Sequence, residues 1–165
     1  MRQFVMGTLA LAILVGVAAT AQAQIGGKKG PDKRVKALLD ELELKYEVDD
    51  DNDFKLVFEV GESGRSQIVW IRSNTEDFRT LEIREIMSPG YVAEGDDIPH
   101  YVAIKLLEDN RAKKMGGWQK DGKYAVFVSH IGADLDAETL HNVLIFTVEA
   151  ADEMEKQLTG EKDQF

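Results

Sequence analysis

Three consecutive stretches, FKLVFEV (Phe54–Val60), SQIVWIRS (Ser66–Ser73) and TLEIREIMS (Thr80–Ser88), carry β-forming residues with period two, and they limit the possible folds more than any other feature. Period two sends successive side chains to opposite faces. Phe54, Leu56, Phe58 and Val60 share one face, Ile68 and Trp70 oppose Val69 and Ile71, and Leu81 and Ile83 share a side. The links GESGR (Gly61–Arg65) and SNTED (Ser73–Asp77) are rich in turn formers and too short for a crossover helix. The three strands must therefore return antiparallel, as a meander, and Pro89-Gly90 is expected to end the run.

Helical spacing flanks these strands. Val35, Leu38, Leu39, Leu42 and Tyr46 recur at helical intervals, with Asp32 placed to cap the first turn. A second helix is predicted over about Pro99–Lys114, capped by Asp96 or Asp97 and stopped by Gly116-Gly117. WQKDG and KYAVFVSHI then read as two strands, joined at the hairpin signal Asp121-Gly122. DLDAETL opens the longest helix, with Asp136 as N-cap and Leu140, Val143, Leu144, Thr147, Ala151, Met154 and Leu158 on one face. Ile145, Phe146 and Val148 lie beyond that face, so this helix should be buried on two sides in the domain or else meet a partner through that surface. The order α-β-β-β-α-β-β-α, without strict β-α alternation, makes the class α+β, an antiparallel sheet packed against helices.

The ends suggest an exported chain. Arg2 is followed by the apolar run Phe4–Thr20 and the small-residue site Ala21-Gln22-Ala23, the pattern of a Sec-type signal peptide over 1–23, cleaved after Ala23. The apolar run is shorter than the ~20 residues that a membrane span prefers. Residues 24–31 read as a flexible linker, 32–160 as one domain and 161–165 as a frayed tail. The expected location is periplasmic or extracellular, with no membrane attachment after cleavage. The chain has no cysteine, so neither a disulfide nor a lipid-modified cysteine can support it. A formal net charge of −10 argues against nucleic acid or an anionic membrane as partner.

The acidic run Asp49-Asp50-Asp51-Asn52-Asp53 invites comparison with a calcium loop. Asp49, Asp51 and Asp53 fit the first three ligand positions of an EF-hand, but Phe54 stands where glycine is required and Val60 where the bidentate glutamate belongs. A solvated turn accounts for the same residues. His100, His130 and His141 show no paired metal-ligand spacing, and Ser129 and His130, as neighbours on a strand, point to opposite faces. No nucleophile, cofactor or metal motif remains, so a non-enzymatic role without a cofactor is expected. Arg111, Lys113, Lys114, Lys120 and Lys123 gather around Met115–Trp118 in an otherwise acidic chain. They suit a helix C-terminus, or a patch for a partner with Trp118 beside it.

One stretch, LLEDNRAKKMGGWQKDGKYAVFVSHIGADLDAETLHNVLIFTVEAADEMEKQL (Leu106–Leu158), together with LLDELELKYEVDDDNDFKL nearer the start, resembles the YbjN-domain family, named as bacterial sensory transduction regulators. The resemblance runs from about Val35 to Leu158. It implies a fold similar to type III secretion chaperones and a binding or regulatory role, and it carries over no catalytic residue. The expected function is a secreted domain that engages a protein or peptide, with Trp70, Trp118, Lys113, Lys114 and Phe146 as candidate contacts and a homodimer as one form of partner. The alternative is a small-ligand or weak calcium sensor at Asp49, Asp51 and Asp53.

Overall fold

The computed structural model describes residues 30–61, 64–160 and 162–165. The signal peptide expected over 1–23 and most of the linker expected over 24–31 lie outside the described residues. The chain orders as α1 (Lys33–Glu41), β1 (Glu47–Val48), β2 (Phe54–Val60), β3 (Arg65–Phe78), β4 (Leu81–Val92), α2 (His100–Asn110), β5 (Gly116–Asp121), β6 (Tyr124–Gly132) and α3 (Ala137–Thr159). The strands form a single antiparallel sheet in the order β1-β2-β3-β4-β6-β5. This is the α+β class that the residue pattern predicts, with β1 as an added two-residue edge.

The caps form where side-chain chemistry allows. Asp32 accepts the Arg34 N–H at 2.8 Å and starts α1, and Asp136 accepts the Thr139 N–H at 2.8 Å and starts α3. The β5–β6 hairpin turns on Gly122-Lys123, with Gly122 at φ +55° as the first loop residue, which a glycine adopts without strain.

The three helices of the described residues pack on one face of the sheet. Val35 and Leu39 of α1 and Leu140, Val143, Leu144 and Val148 of α3 bury Phe54, Leu56, Val69, Ile71 and Ile86. Val102 and Leu106 of α2 and Ala150, Ala151 and Met154 of α3 bury Trp118, Ala125 and Phe127. Each large side chain buried in this way contributes about 1.5–3 kcal/mol. The helix α3 is thus covered on two sides, by the sheet and by its flanking helices, as its wide apolar face predicts. Among the described residues, no helix is long and apolar enough to cross a membrane.

Five boundaries depart from expectation. SNTED does not break the sheet: β3 runs through it with an irregularity between Ile71 and Thr75, and the turn falls at Arg79-Thr80 instead. Pro89-Gly90 does not end β4, which continues to Val92 with a second irregularity between Pro89 and Tyr91. The helix α2 begins at His100 behind Pro99, with no side-chain cap from Asp96 or Asp97, and it ends at Asn110 rather than Lys114, so Gly116-Gly117 opens β5. Finally, residues 162–165 are tied down rather than frayed. Gln164 N–H donates to Glu155 Oε1 at 2.6 Å, and the Lys162 carbonyl accepts from Arg65 at 3.0 Å.

Candidate functional site

Alternation along the strands leaves a second apolar surface on the face that, among the described residues, carries no helix. In β3 the buried positions Arg65, Gln67, Val69 and Ile71 face α3, and Ser66, Ile68, Trp70 and Arg72 face away. Register extends this outer face across the sheet: Trp70 pairs with Lys55 and Met87, Met87 with Val128, and Pro89 with Val126. Val57, on the same face opposite Ile68, is 59% exposed.

A groove of about 500 Å³ crosses this surface. Trp70, Met87, Pro89 and Val126 line its middle. Asp49, Asp53 and Arg72 line it from the acidic turn, and Asp121 and Tyr124 from the tip of the β5–β6 hairpin. Gln164 and Phe165 line it as well. Its length follows from the register. Three strand spacings across and six or so residues along the strands make roughly 25 Å on the diagonal, the reach of seven to eight extended residues.

Beneath the groove the ladder between β3 and β4 is replaced by side chains. Gln67 Nε2 donates to the Pro89 carbonyl at 2.6 Å and to Ser88 Oγ at 3.0 Å, and Ser88 Oγ donates to the Ile68 carbonyl at 2.6 Å. Proline lacks an N–H and is confined in sheets to edges and irregularities, and here a buried glutamine occupies the gap.

The acidic turn forms one end of the groove. Asp49 Oδ1 accepts the N–H groups of Asp51 and Asp53, both at 2.9 Å, while Asn52 takes the left-handed conformation at φ +68°. Asp53 is buried. Its Oδ1 accepts the Ser73 N–H at 2.7 Å, and its Oδ2 lies 2.9 Å from Arg72 Nε, a charge contact whose N–H is not aligned on the oxygen. Burial raises the Asp53 carboxyl above its ordinary range, against the pull of the Ser73 N–H and the Arg72 charge. A cation bound here would have to take Asp49 and Asp53 away from these donors. Among the described residues, no three His, Cys, Asp or Glu side chains converge as a metal-holding group.

The expected contact residues separate. Trp70 lies in the groove. Trp118 does not: it is 8% exposed, packs edge-on against Phe127 at 5.3 Å, and donates from Nε1 to Asp109 at 2.8 Å. It belongs to the core, and the reading of it as a surface anchor is corrected. Phe146 is half-buried on the helix side, its ring 5.8 Å from Phe127, and offers no surface continuous with Trp70. Lys113 pairs with Glu153 at 2.8 Å, and Lys114 donates to the Arg111 carbonyl at 3.0 Å, closing the end of α2. Neither reaches the groove. Ser129 and His130 do fall on opposite faces: Ser129 Oγ is bonded to Thr147 in the core at 2.8 Å, and His130 Nε2 lies 3.3 Å from Glu85 on the outer face. The sequence reading missed Met87, Pro89, Val126 and Tyr124 as groove residues, although their strand parity with Trp70 was the available signal.

No protein-family model matches the sequence, and no curated protein does either.

Proposed function

We propose that this protein is a secreted, non-enzymatic binding module of YbjN type that holds an extended segment of a protein or peptide on its uncovered sheet face. One observation carries the reading. Among the described residues, the helices crowd onto one side of the sheet and leave an apolar groove around Trp70 on the other. An antiparallel sheet can leave one face to water, but a contiguous apolar surface with a central aromatic residue on that face is the usual form of a docking site. The groove spans about 25 Å of the sheet, which suits a chain segment better than a compact metabolite. The setting is the periplasm or the extracellular space, reached through the leader read over 1–23.

The test is in vivo cross-linking of the full-length tagged chain in its own host, compared with Trp70→Ala. Loss of the dominant cross-linked partner with Trp70→Ala, at equal protein level, is expected. Retention of every partner at equal yield would refute the groove as the binding surface. N-terminal sequencing of the recovered protein should begin at Gln24, and an intact Met1 would refute the secreted assignment.

A further inference from the structure

The groove is lined in part by the chain's own tail. Arg65, nearly buried at the start of β3, gathers that tail: its guanidinium donates to Asp152 at 2.6 Å, to Glu155 at 2.9 Å and to the Lys162 carbonyl at 3.0 Å. Asp163 accepts the Ser66 N–H at 3.2 Å, and Gln164 N–H donates to Glu155 at 2.6 Å. These bonds hold residues 162–164 against the start of β3 and the end of α3, and Gln164 and Phe165 line the groove, Phe165 in the same space as Tyr124, Val126, Pro89 and Met87. A large aromatic residue of the chain itself therefore already lines part of the groove.

Charge defines the rest. Four charged residues line the groove: the carboxylates Asp49, Asp53 and Asp121, and the guanidinium of Arg72. Arg72 lies against Asp53, which leaves one carboxylate, Asp49, at the turn end and one, Asp121, at the hairpin end. Between them the floor is apolar. Carboxylates at the rim of an apolar groove select a segment with cations at matching positions, and they disfavour an acidic one.

We infer that the groove's partner is an extended segment of about seven to eight residues, the length set by strand geometry, with Lys or Arg at both ends and a large aromatic or aliphatic side chain that displaces Phe165. The inference rests on the groove being the binding surface and assigns the chemistry of what it takes. In the free protein Phe165 acts as an internal competitor, so only a segment with both the charges and the bulky side chain binds well.

Fluorescence anisotropy with three dye-labelled octapeptides tests this: KSVSLSFK, the same peptide with Glu at both ends, and the same with Ser at both ends. The lysine-ended peptide should bind the full chain, more weakly as salt is raised. Phe165→Ala should tighten it about 3- to 10-fold, because the competing conformer is removed. Asp121→Asn should weaken it about 2- to 5-fold and flatten the salt dependence, the range of a rim ion pair. Asp121 stands at a hairpin tip and its amide preserves the fold, so this variant serves even where Asp49→Asn disturbs the acidic turn.

Equal affinity for the serine-ended and lysine-ended peptides would overturn the charge assignment. An unchanged affinity in Phe165→Ala would overturn the displacement. In both cases binding that is lost with Trp70→Ala leaves the groove itself standing. If no peptide binds while the cross-linked partner still depends on Trp70, this inference fails alone. If that dependence is absent too, the proposed function fails with it.

Discussion

Trp70 and Trp118 are the chain's two tryptophans, and the faces on which they stand decide their roles. Trp118 fills the core between α2 and α3 and rests on the backbone of Gly90, where an added Cβ would come within 2.4 Å of its ring. Trp118→Ala should therefore lower stability by about 3–5 kcal/mol, as large aromatic truncations in cores do. Gly90→Ala should cost about 1–3 kcal/mol through overpacking, since the ring it meets is itself held by Asp109. Trp70→Ala, on the open face, should cost about 1 kcal/mol or less while removing partner binding. Urea denaturation of the three variants checks this ordering. A Trp70→Ala loss as large as that of Trp118→Ala would mean that the groove is a second core rather than a site. The alternation that separates Ile68 and Trp70 from Val69 and Ile71 is legible in the sequence. Which of the two faces the helices would cover is not, because both are apolar.

Among the elements, α1 depends most on charge. Arg34 holds Glu82 at 2.6 and 2.8 Å and Asp32 at 2.8 Å, and the buried Arg84 donates to Asp32 at 2.5 Å. Burial alone would raise the Asp32 carboxyl, but hydrogen bonds from Arg34 and Arg84 together outweigh it and hold the group far below its ordinary 3.8. Hydrogen bonds from Arg34 and then Thr75 bring Glu82 down from 4.5 to about 2. Carboxyls depressed in the folded state stabilise it above their unfolded values, and that stability is lost as pH falls through the folded ones. The urea midpoint should therefore drop from about pH 5 towards pH 2, and less steeply in Glu82→Gln. An identical slope in that variant would show that Glu82 is not held by Arg34. High salt should shrink the effect, because the Arg34–Glu82 pair is exposed. The same region explains why SNTED reads as a break and is not one. The irregularity in β3 is satisfied from elsewhere in the chain: Ser73 N–H goes to Asp53, Ser73 Oγ goes to the Asn52 carbonyl, and Arg84 reaches the Arg72 and Ser73 carbonyls. Those partners lie 11–21 residues away, beyond any local turn signal. Pro89 is likewise kept in a strand by Gln67, 22 residues upstream.

On the scale of the whole molecule, Arg65 joins the second strand of the meander to the end of the last helix and to the tail, across 87 to 97 residues. No local pattern marks it, since an arginine after Gly64 in a turn reads as exposed. Its surroundings are acidic on every side: Asp152 and Glu155 from α3 and Asp163 from the tail. Burial raises the Glu155 carboxyl above its ordinary 4.5, while the Gln164 N–H and the Arg65 charge pull it back only in part. A carboxyl raised in the folded state favours folding most below its unfolded value, and this contribution fades as pH rises through the folded one. At neutral pH the charged Glu155 is therefore tolerated only because Arg65 is present. Arg65→Met removes the cation that these three carboxylates share and should lower stability by about 3–5 kcal/mol at pH 7. As pH falls through the raised value Glu155 takes up a proton and the deficit should narrow, so the melting curves of parent and variant draw together as the solution is acidified. The tail should detach in the variant at neutral pH, because Lys162 loses its donor and Glu155, no longer neutralised, repels Asp163. That detachment separates the fold from the latch: the variant should bind the lysine-ended octapeptide as tightly as Phe165→Ala does, at a temperature where it remains folded. A constant stability gap from pH 7 to pH 4.5 would place the burden on Asp152 alone and leave Glu155 without a part in closing the tail.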